Sequence, residues 1–298
     1  TRYWVAEHHN MTGNASSATA VLVGYIAGGT KTIRVGSGGV MLPNHAPLVI
    51  AEQFGTLASI YPGRIELGLG RAPGSDQMTA RALRRDLLGS DDRFPQDVRE
   101  LQHYFGPIQE GQLVKAIPGV DTEVPIWILG SSLYGAKLAA HFGLPYAFAS
   151  HFAPEQLLDA MSTYRELFKP SDKLAKPYCA FLMNVVAADT DEEAAHLFTT
   201  LQQNVIRMRR NTRGQLPPPI KNIDHFCEPH EKMTATHALR CSAVGSLETV
   251  RKEMQYWLDQ TGANEIIITG QIYDHQARLK SFEIAAEAAK GLRFSSAA

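Results

Sequence analysis

The chain has 298 residues, of which 44% are hydrophobic and 20% are charged, a composition usual for a globular protein with a sizeable core. Its 29 Lys and Arg against 30 Asp and Glu give a net charge of −1, which excludes a general attraction to nucleic acid or to an anionic membrane. We therefore expect a small-molecule partner, and neither a nucleic-acid nor a membrane partner.

The cysteines Cys179, Cys227 and Cys241 are odd in number and share no C-x-x-C spacing, which argues against a disulfide framework and for a reducing compartment. No apolar run approaches the roughly 18 residues of a membrane span. The first residues, T-R-Y-W, lack the pattern of a signal peptide. These features predict a cytoplasmic protein.

Apolar runs typical of strands alternate with helical segments along the chain. The predicted strands are Tyr3 to Ala6, Thr32 to Ser37, Ile65 to Leu69, Pro125 to Leu129, Pro145 to Ala149, Tyr178 to Ala187 and Asn264 to Gly270. The predicted helices are Ala15 to Ala27, Pro47 to Ile60, Gln77 to Leu88, Asp97 to Phe105, Leu133 to Phe142, Glu155 to Phe168, Asp191 to Arg210 and His275 to Leu292.

This alternation predicts a parallel sheet covered by helices, and the (β/α)8 TIM barrel is the form that needs about this length. We predict a single domain over residues 1–298. Seven strands are one too few for the barrel, so the first strand and helix are expected to be absent from this sequence. The stretch from Asn211 to Ser242 breaks the alternation, with a Pro-Pro-Pro run that cannot be helical, and predicts an insertion over the barrel mouth.

The stretch Y-P-G-R-I-E-L-G-L-G-R-A-P-G-S, from Tyr61 to Ser75, predicts a strand that ends in an anion site. Gly68, Gly70 and Gly74 would let a flat ring or a phosphate approach the backbone, and the Arg71 guanidinium could bind a phosphate or a carboxylate bidentately. Alternatively, the glycines only form a turn and Arg71 pairs with Asp76. The glycine spacing does not match a dinucleotide fingerprint.

Two further strand ends carry candidate site residues, because barrel active sites form where strands end. Gly130, Ser131 and Ser132 open a helix and predict a phosphate cradle, unless the serines only cap that helix. His8 is a candidate general base that the adjacent Glu7 carboxylate could orient, unless it is a buried structural histidine.

No metal site is predicted. Neighbouring residues on a strand point to opposite faces, so Glu7, His8 and His9 are not expected to converge on one ion. His225, Cys227 and His230 form H-x-C-x-x-H, which lacks a fourth ligand at the usual spacing for zinc.

Five stretches, taken in this order, resemble the flavin-dependent luciferase-like monooxygenases, and the resemblance covers nearly the whole chain. They are W-V-A-E-H-H (Trp4 to His9), V-G-S-G-G-V-M-L-P (Val35 to Pro43), A-E-Q-F-G-T-L (Ala51 to Leu57), P-G-R-I-E-L-G-L-G-R (Pro62 to Arg71) and P-I-W-I-L-G-S-S (Pro125 to Ser132).

The resemblance implies a (β/α)8 barrel with an insertion. It also implies an enzyme that uses reduced FMN, taken from a separate flavin reductase, and molecular oxygen to oxygenate a small organic substrate, and that assembles as a homodimer. His8 matches the catalytic histidine, Arg71 and Ser132 match the residues that hold the flavin phosphate, and Gly38 and Gly39 match a cis peptide beneath the flavin ring.

Two positions depart from luciferase itself: Gly70 stands for its reactive cysteine and Ser131 for its phosphate-side glutamate. Luminescence is therefore not implied. Two alternatives stay open, a deazaflavin-dependent oxidoreductase of the same fold and a flavin-binding protein without turnover.

Overall fold

The structure is a computed structural model that describes residues 1–72, 77–83, 93–212 and 214–294. Its chain divides into two compact units, Thr1–Gly130 and Ser131–Ala298. Parallel strands alternate with helices in both units, which is the predicted α/β pattern. The single domain over residues 1–298 stays a prediction.

The first unit contains four strands in the order β1-β2-β3-β4, and each neighbouring pair is parallel. Its elements are β1 (Arg2–Val5), α1 (Thr19–Gly28), β2 (Arg34–Met41), α2 (Pro47–Ile60), β3 (Ile65–Gly70), α3 (Gln77–Leu83), α4 (Phe94–Phe105) and β4 (Ile126–Gly130). The predicted helix from Gln77 to Leu88 is described only as far as Leu83, and Gly74 and Asp76 lie outside the described residues.

Strand β2 is longer than predicted, because it continues past Ser37 to Met41, with a shift of register against β3 between Ser37 and Val40. The two strands approach closely here. A Cβ on Gly68 would lie 2.3 Å from the carbonyl oxygen of Ser37, so only glycine fits. A Cβ on Gly70 would lie 2.9 Å from Sδ of Met41, the end of a flexible side chain that can shift. The packing of β2 on β3 thus requires glycine at position 68, and the approach of a ligand to these glycines stays a prediction.

The second unit contains four strands, in which β6 pairs in parallel with β5, β7 and β8. Its elements are α5 (Leu133–Phe142), β5 (Tyr146–Phe148), α6 (Leu157–Leu167), β6 (Cys179–Ala187), α7 (Asp191–Arg209), α8 (Pro229–Ala238), β7 (Ser242–Gly245), α9 (Leu247–Thr261), β8 (Glu265–Thr269) and α10 (His275–Ala289). All nine residues of β6 are buried, because both faces of a strand in a parallel sheet of an α/β protein are covered.

The predicted insertion is more regular than expected. Residues 215–220 are not helical, as the prolines require, and their carbonyls accept hydrogen bonds from side chains of α7. Helix α8 then packs its buried Ala235 and Ala238 against Leu201 and Val205 of α7. The seven predicted strands are all present, and the eighth described strand is β7, where the insertion was expected to end. Helix α9 was not predicted.

All three cysteines are free thiols, two of them buried. Burial raises the pKa of Cys241 to about 12. Among the described residues, no helix is both long and apolar enough to cross a membrane.

Candidate active site

The carboxyl ends of the strands in the first unit bring the predicted residues to one edge. Strands β1, β2 and β3 are parallel neighbours, with Met41 at the end of β2 paired with Gly70 at the end of β3. The loop after β1 carries Glu7, His8 and His9, and Arg71 follows β3 directly. Side chains that follow parallel neighbouring strands share an edge of the sheet, as active-site residues of this fold class do.

Glu7 is the centre of a buried hydrogen-bond cluster at this edge. Its side chain is 2% exposed, and its Oε1 accepts hydrogen bonds from Nε2 of His9 and Nε2 of His45, each at 2.8 Å. Its Oε2 accepts the backbone N–H of Met41 at 3.0 Å. The carboxylate therefore ties the loop after β1 to the end of β2 and to the segment that follows it.

The protonation of Glu7 follows from these bonds. Burial alone would raise its pKa, but the hydrogen bond and charge of His45, the hydrogen bond of His9 and the N–H of Met41 together bring the pKa below its usual value. Glu7 is therefore an ionised acceptor at neutral pH, and both Nε2 atoms donate to it.

The histidine rings of His9 and His45 bind this carboxylate, which was not predicted. That Glu7 also orients His8 stays a prediction. His8 lies between Glu7 and His9 in the chain and is half-buried. The role of His9 could have been found from the sequence, since residues two apart in an extended segment share a face. That of His45 could not, because it is 38 residues from Glu7.

The peptide bond between Gly38 and Gly39 is cis, which confirms the prediction made from the resemblance. Gly38 is half-buried and Gly39 is buried. Their position beneath a flavin ring stays a prediction.

The predicted phosphate ligands are distributed over both units. Arg71 is exposed, and Gly130, the last residue of β4, is half-buried; both belong to the first unit. Ser131 and Ser132 belong to the second, where Ser132 is the N-cap residue of α5 and its side chain makes no capping bond. The alternative in which Ser132 caps the helix through its hydroxyl is therefore not realised. That Arg71, Gly130, Ser131 and Ser132 share a phosphate stays a prediction.

A second buried cluster in the first unit surrounds Glu66 of β3. Its Oε2 accepts hydrogen bonds from the Arg2 guanidinium and, at 3.1 Å, from Nε1 of Trp4, while its Oε1 pairs with Arg34 at 3.1 Å. The Arg2 guanidinium also lies 4.5 Å from the ring centroid of Trp127, a cation–π contact. Sequence reasoning assigned no role to this cluster, which holds the first strands together.

The H-x-C-x-x-H stretch does not form a metal centre among the described residues. His225 ends a short 3₁₀ helix and His230 lies in the first turn of α8, both exposed. The Cys227 thiol points to the carbonyl of Ile223 at 3.4 Å. In the part of the chain that the structure describes, only Glu7, His9 and His45 bring three possible metal-ligand atoms close together.

Parallel strands that alternate with helices, with polar residues gathered where the strands end, define an α/β enzyme class. The chain belongs to the luciferase-like monooxygenase family, whose sequence profile matches residues 1–265. It is 57% identical to a luciferase-like monooxygenase of Escherichia coli (strain K12) over 284 residues. The aligned residues cover 95% of this chain and 85% of that protein. It is also 30% identical to the N-acetyl-S-alkylcysteine monooxygenase of Bacillus subtilis (strain 168), over 96% of this chain and 87% of that protein.

Solved structures confirm the fold class as the (β/α)8 barrel of luciferase-like monooxygenases. The structure of apo-MsnO8 matches with a TM-score of 0.90 and 36% identity, over 97% of this chain and 87% of that one. Two more distant structures share the fold alone. They are an oxygenating constituent of 3,6-diketocamphane monooxygenase from Pseudomonas putida with FMN (TM-score 0.72, 18% identity, 98% and 89% coverage) and an F420-dependent secondary alcohol dehydrogenase (TM-score 0.70, 16% identity, 96% and 89% coverage).

Proposed function

We propose that this protein is a flavin-dependent monooxygenase that uses reduced FMN and molecular oxygen to oxygenate a small organic substrate. The observation that carries the proposal is the common edge of β1, β2 and β3, where the loop after β1 carries the His8 imidazole and the Arg71 guanidinium follows β3, with β2 between the two strands. Membership of the luciferase-like monooxygenase family supports the same reaction class.

The residues present fit such a cofactor. Arg71 is exposed at the end of β3 and offers a bidentate donor for a phosphate. Gly38 is half-buried, and the absence of a side chain there is required by Trp4, whose Cβ would lie 2.9 Å from a Cβ at this position. Reduced FMN would supply the electrons with which one oxygen atom of O2 enters the substrate and the other leaves as water. Because the sequence has no nicotinamide fingerprint, we propose that a separate flavin reductase reduces the FMN.

His8 is proposed as the group that moves a proton during oxygenation, since an imidazole can both donate and accept a proton. The Glu7 cluster positions the segment that carries it. Glu7 is held by His9, His45 and the Met41 N–H, so the backbone on both sides of His8 is fixed before any ligand binds. Preorganisation of this kind lowers the cost of aligning a catalytic group.

An anaerobic titration tests the cofactor. We expect reduced FMN to bind more tightly than oxidised FMN and than a reduced deazaflavin, and oxygen to be consumed when FMN, a flavin reductase and NAD(P)H are supplied. Preferential binding of the deazaflavin would favour the F420-dependent alternative. Tight flavin binding without oxygen consumption or product would instead favour a flavin-binding protein without turnover. The cytoplasmic location stays a prediction.

We further propose that the protein is a homodimer through its first unit. Helix α1 exposes Val21 (70%) and Tyr25 (81%), and α2 exposes Ile60 (59%), an amount of apolar surface that a second copy could cover. Sedimentation at micromolar concentration should give a dimer, and Tyr25→Glu should shift it towards monomer. As a control, Leu113→Glu at a 96% exposed position outside these helices should not change the mass. A monomeric parent protein contradicts this proposal.

A further inference from the structure

Glu7, His9 and His45 offer three ligand atoms that all lie within 4.8 Å of one another. The expectation of no metal site concerned Glu7, His8 and His9, which follow one another in the chain. In the structure the third ligand is His45, which arrives from the segment after β2. Two imidazole nitrogens and one carboxylate oxygen form a donor set that zinc and related divalent metals use in proteins.

We propose that Glu7, His9 and His45 bind one divalent transition-metal ion, with Zn²⁺ as the reference ion, and leave a further coordination position open. A mixed nitrogen and oxygen set favours such ions over Mg²⁺ or Ca²⁺, which take oxygen ligands. Metal bonds would replace the hydrogen bonds that hold the segment around His8, so the tests below measure metal binding and not the flavin reaction.

The two distances to Glu7 require a small adjustment, and the two Nε2 atoms lie within 4.8 Å of each other. The two N···O distances to Glu7 Oε1 are 2.8 Å, whereas ligand atoms about 2.0 Å from a tetrahedral zinc ion are roughly 3.3 Å apart. Each imidazole would therefore move outwards by about half an ångström. On binding, each Nε2 presents its lone pair to the metal, and the ring proton moves to Nδ1. Each imidazole therefore stays neutral.

The surroundings of Glu7 resemble those of a metal-binding carboxylate. Oε2 is held by the backbone N–H of Met41 at 3.0 Å, which leaves Oε1 directed at the two imidazoles. Hydrogen bonds of this kind orient carboxylate ligands in metal sites. His9 and His45 side chains are 15% and 27% exposed, so an ion can enter from solvent, while Glu7 at 2% is shielded.

Metal titration of the chelator-treated full chain tests the site. We expect one Zn²⁺ per chain by calorimetry, and visible absorption bands typical of low-coordinate Co²⁺ when cobalt is used instead. His9→Gln and His45→Gln should each weaken Zn²⁺ binding by about tenfold to a hundredfold or more, since each removes a ligand. His230→Gln, in the exposed H-x-C-x-x-H stretch, should leave the affinity unchanged.

X-ray absorption at the zinc edge of the parent protein provides a second measurement that does not depend on the variants folding. Two imidazoles, oxygen and no sulfur in the first shell would support the site. Sulfur in that shell would assign the metal to a cysteine and overturn the proposal. So would the absence of stoichiometric binding, or equal affinity in the parent and the His45→Gln variant.

Discussion

Replacement of His8 by alanine should lower turnover at saturating reduced flavin by about a hundredfold or more, while flavin affinity changes by no more than a few fold. The reason is the position of His8 beside a preorganised cluster at the end of β1, where an imidazole can exchange a proton without contributing to phosphate binding. Product formation on a substrate found by screening with reduced flavin gives turnover, and flavin titration gives affinity.

Arg71→Ala is the matched comparison, since it should lower flavin affinity and leave turnover at saturating flavin unchanged. Loss of a charge-assisted bidentate contact costs roughly 2–4 kcal/mol, so flavin binding should weaken on the order of a hundredfold with turnover at saturation retained. Controls are His225→Ala and Arg209→Ala, which remove exposed residues of the second unit. If His8→Ala weakens flavin binding as much as Arg71→Ala does and spares turnover, His8 is a binding or structural residue.

The second large effect is expected from Glu66→Ala, which should reduce the free energy of unfolding by about 3–5 kcal/mol. Arg2 is 4% exposed, so the change removes the carboxylate that pairs with a buried guanidinium. The same change removes the acceptor of the Trp4 indole N–H. Denaturant unfolding followed by circular dichroism measures the difference.

Two variants identify the cause of that loss. Glu66→Gln keeps one acceptor oxygen, which can still serve Trp4, but it loses the charge and replaces the other oxygen, which pairs with Arg34, by an amide donor. Its destabilisation should be intermediate. Glu248→Ala removes a carboxylate that is 78% exposed and paired with Arg251, and should have no measurable effect. Equal stability of Glu66→Ala and the parent protein would show that the Arg2 and Glu66 pair contributes nothing to the fold.

Local sequence signals were sufficient for several elements. Helix α2 begins at Pro47 as predicted, because proline at the first helical position has its φ already set and needs no N–H partner. Helix α5 ends before Gly143, whose φ of +62° is the left-handed conformation that glycine adopts most readily. Both signals act over a few residues, so no tertiary context was needed.

Other elements depended on distant partners. Strand β7 has four residues and exists through its pairing with Asn184 to Ala187 of β6, which its short sequence does not encode. Helix α9 had a signal that was missed, since Val250, Met254 and Leu258 are buried at four-residue spacing. Strand β2 continues through Gly38 and Gly39, where neighbouring strands on both sides leave no room for a side chain: a Cβ on Gly38 would lie 2.9 Å from Cβ of Trp4 in β1, and one on Gly39 would lie 2.7 Å from the carbonyl oxygen of Gly68 in β3.

By itself, the sequence determined the alternation of strands and helices, the family, and the residues that follow each strand, including His8 and Arg71. These properties depend on periodicity and short motifs, which are contained within a few neighbouring residues. Only the tertiary structure decided that Glu7 binds His9 and His45, and that Glu66 binds Arg2 and Arg34. Such contacts depend on strand register and on the path of the chain between strands, so side chains far apart in sequence meet only once the sheet has formed.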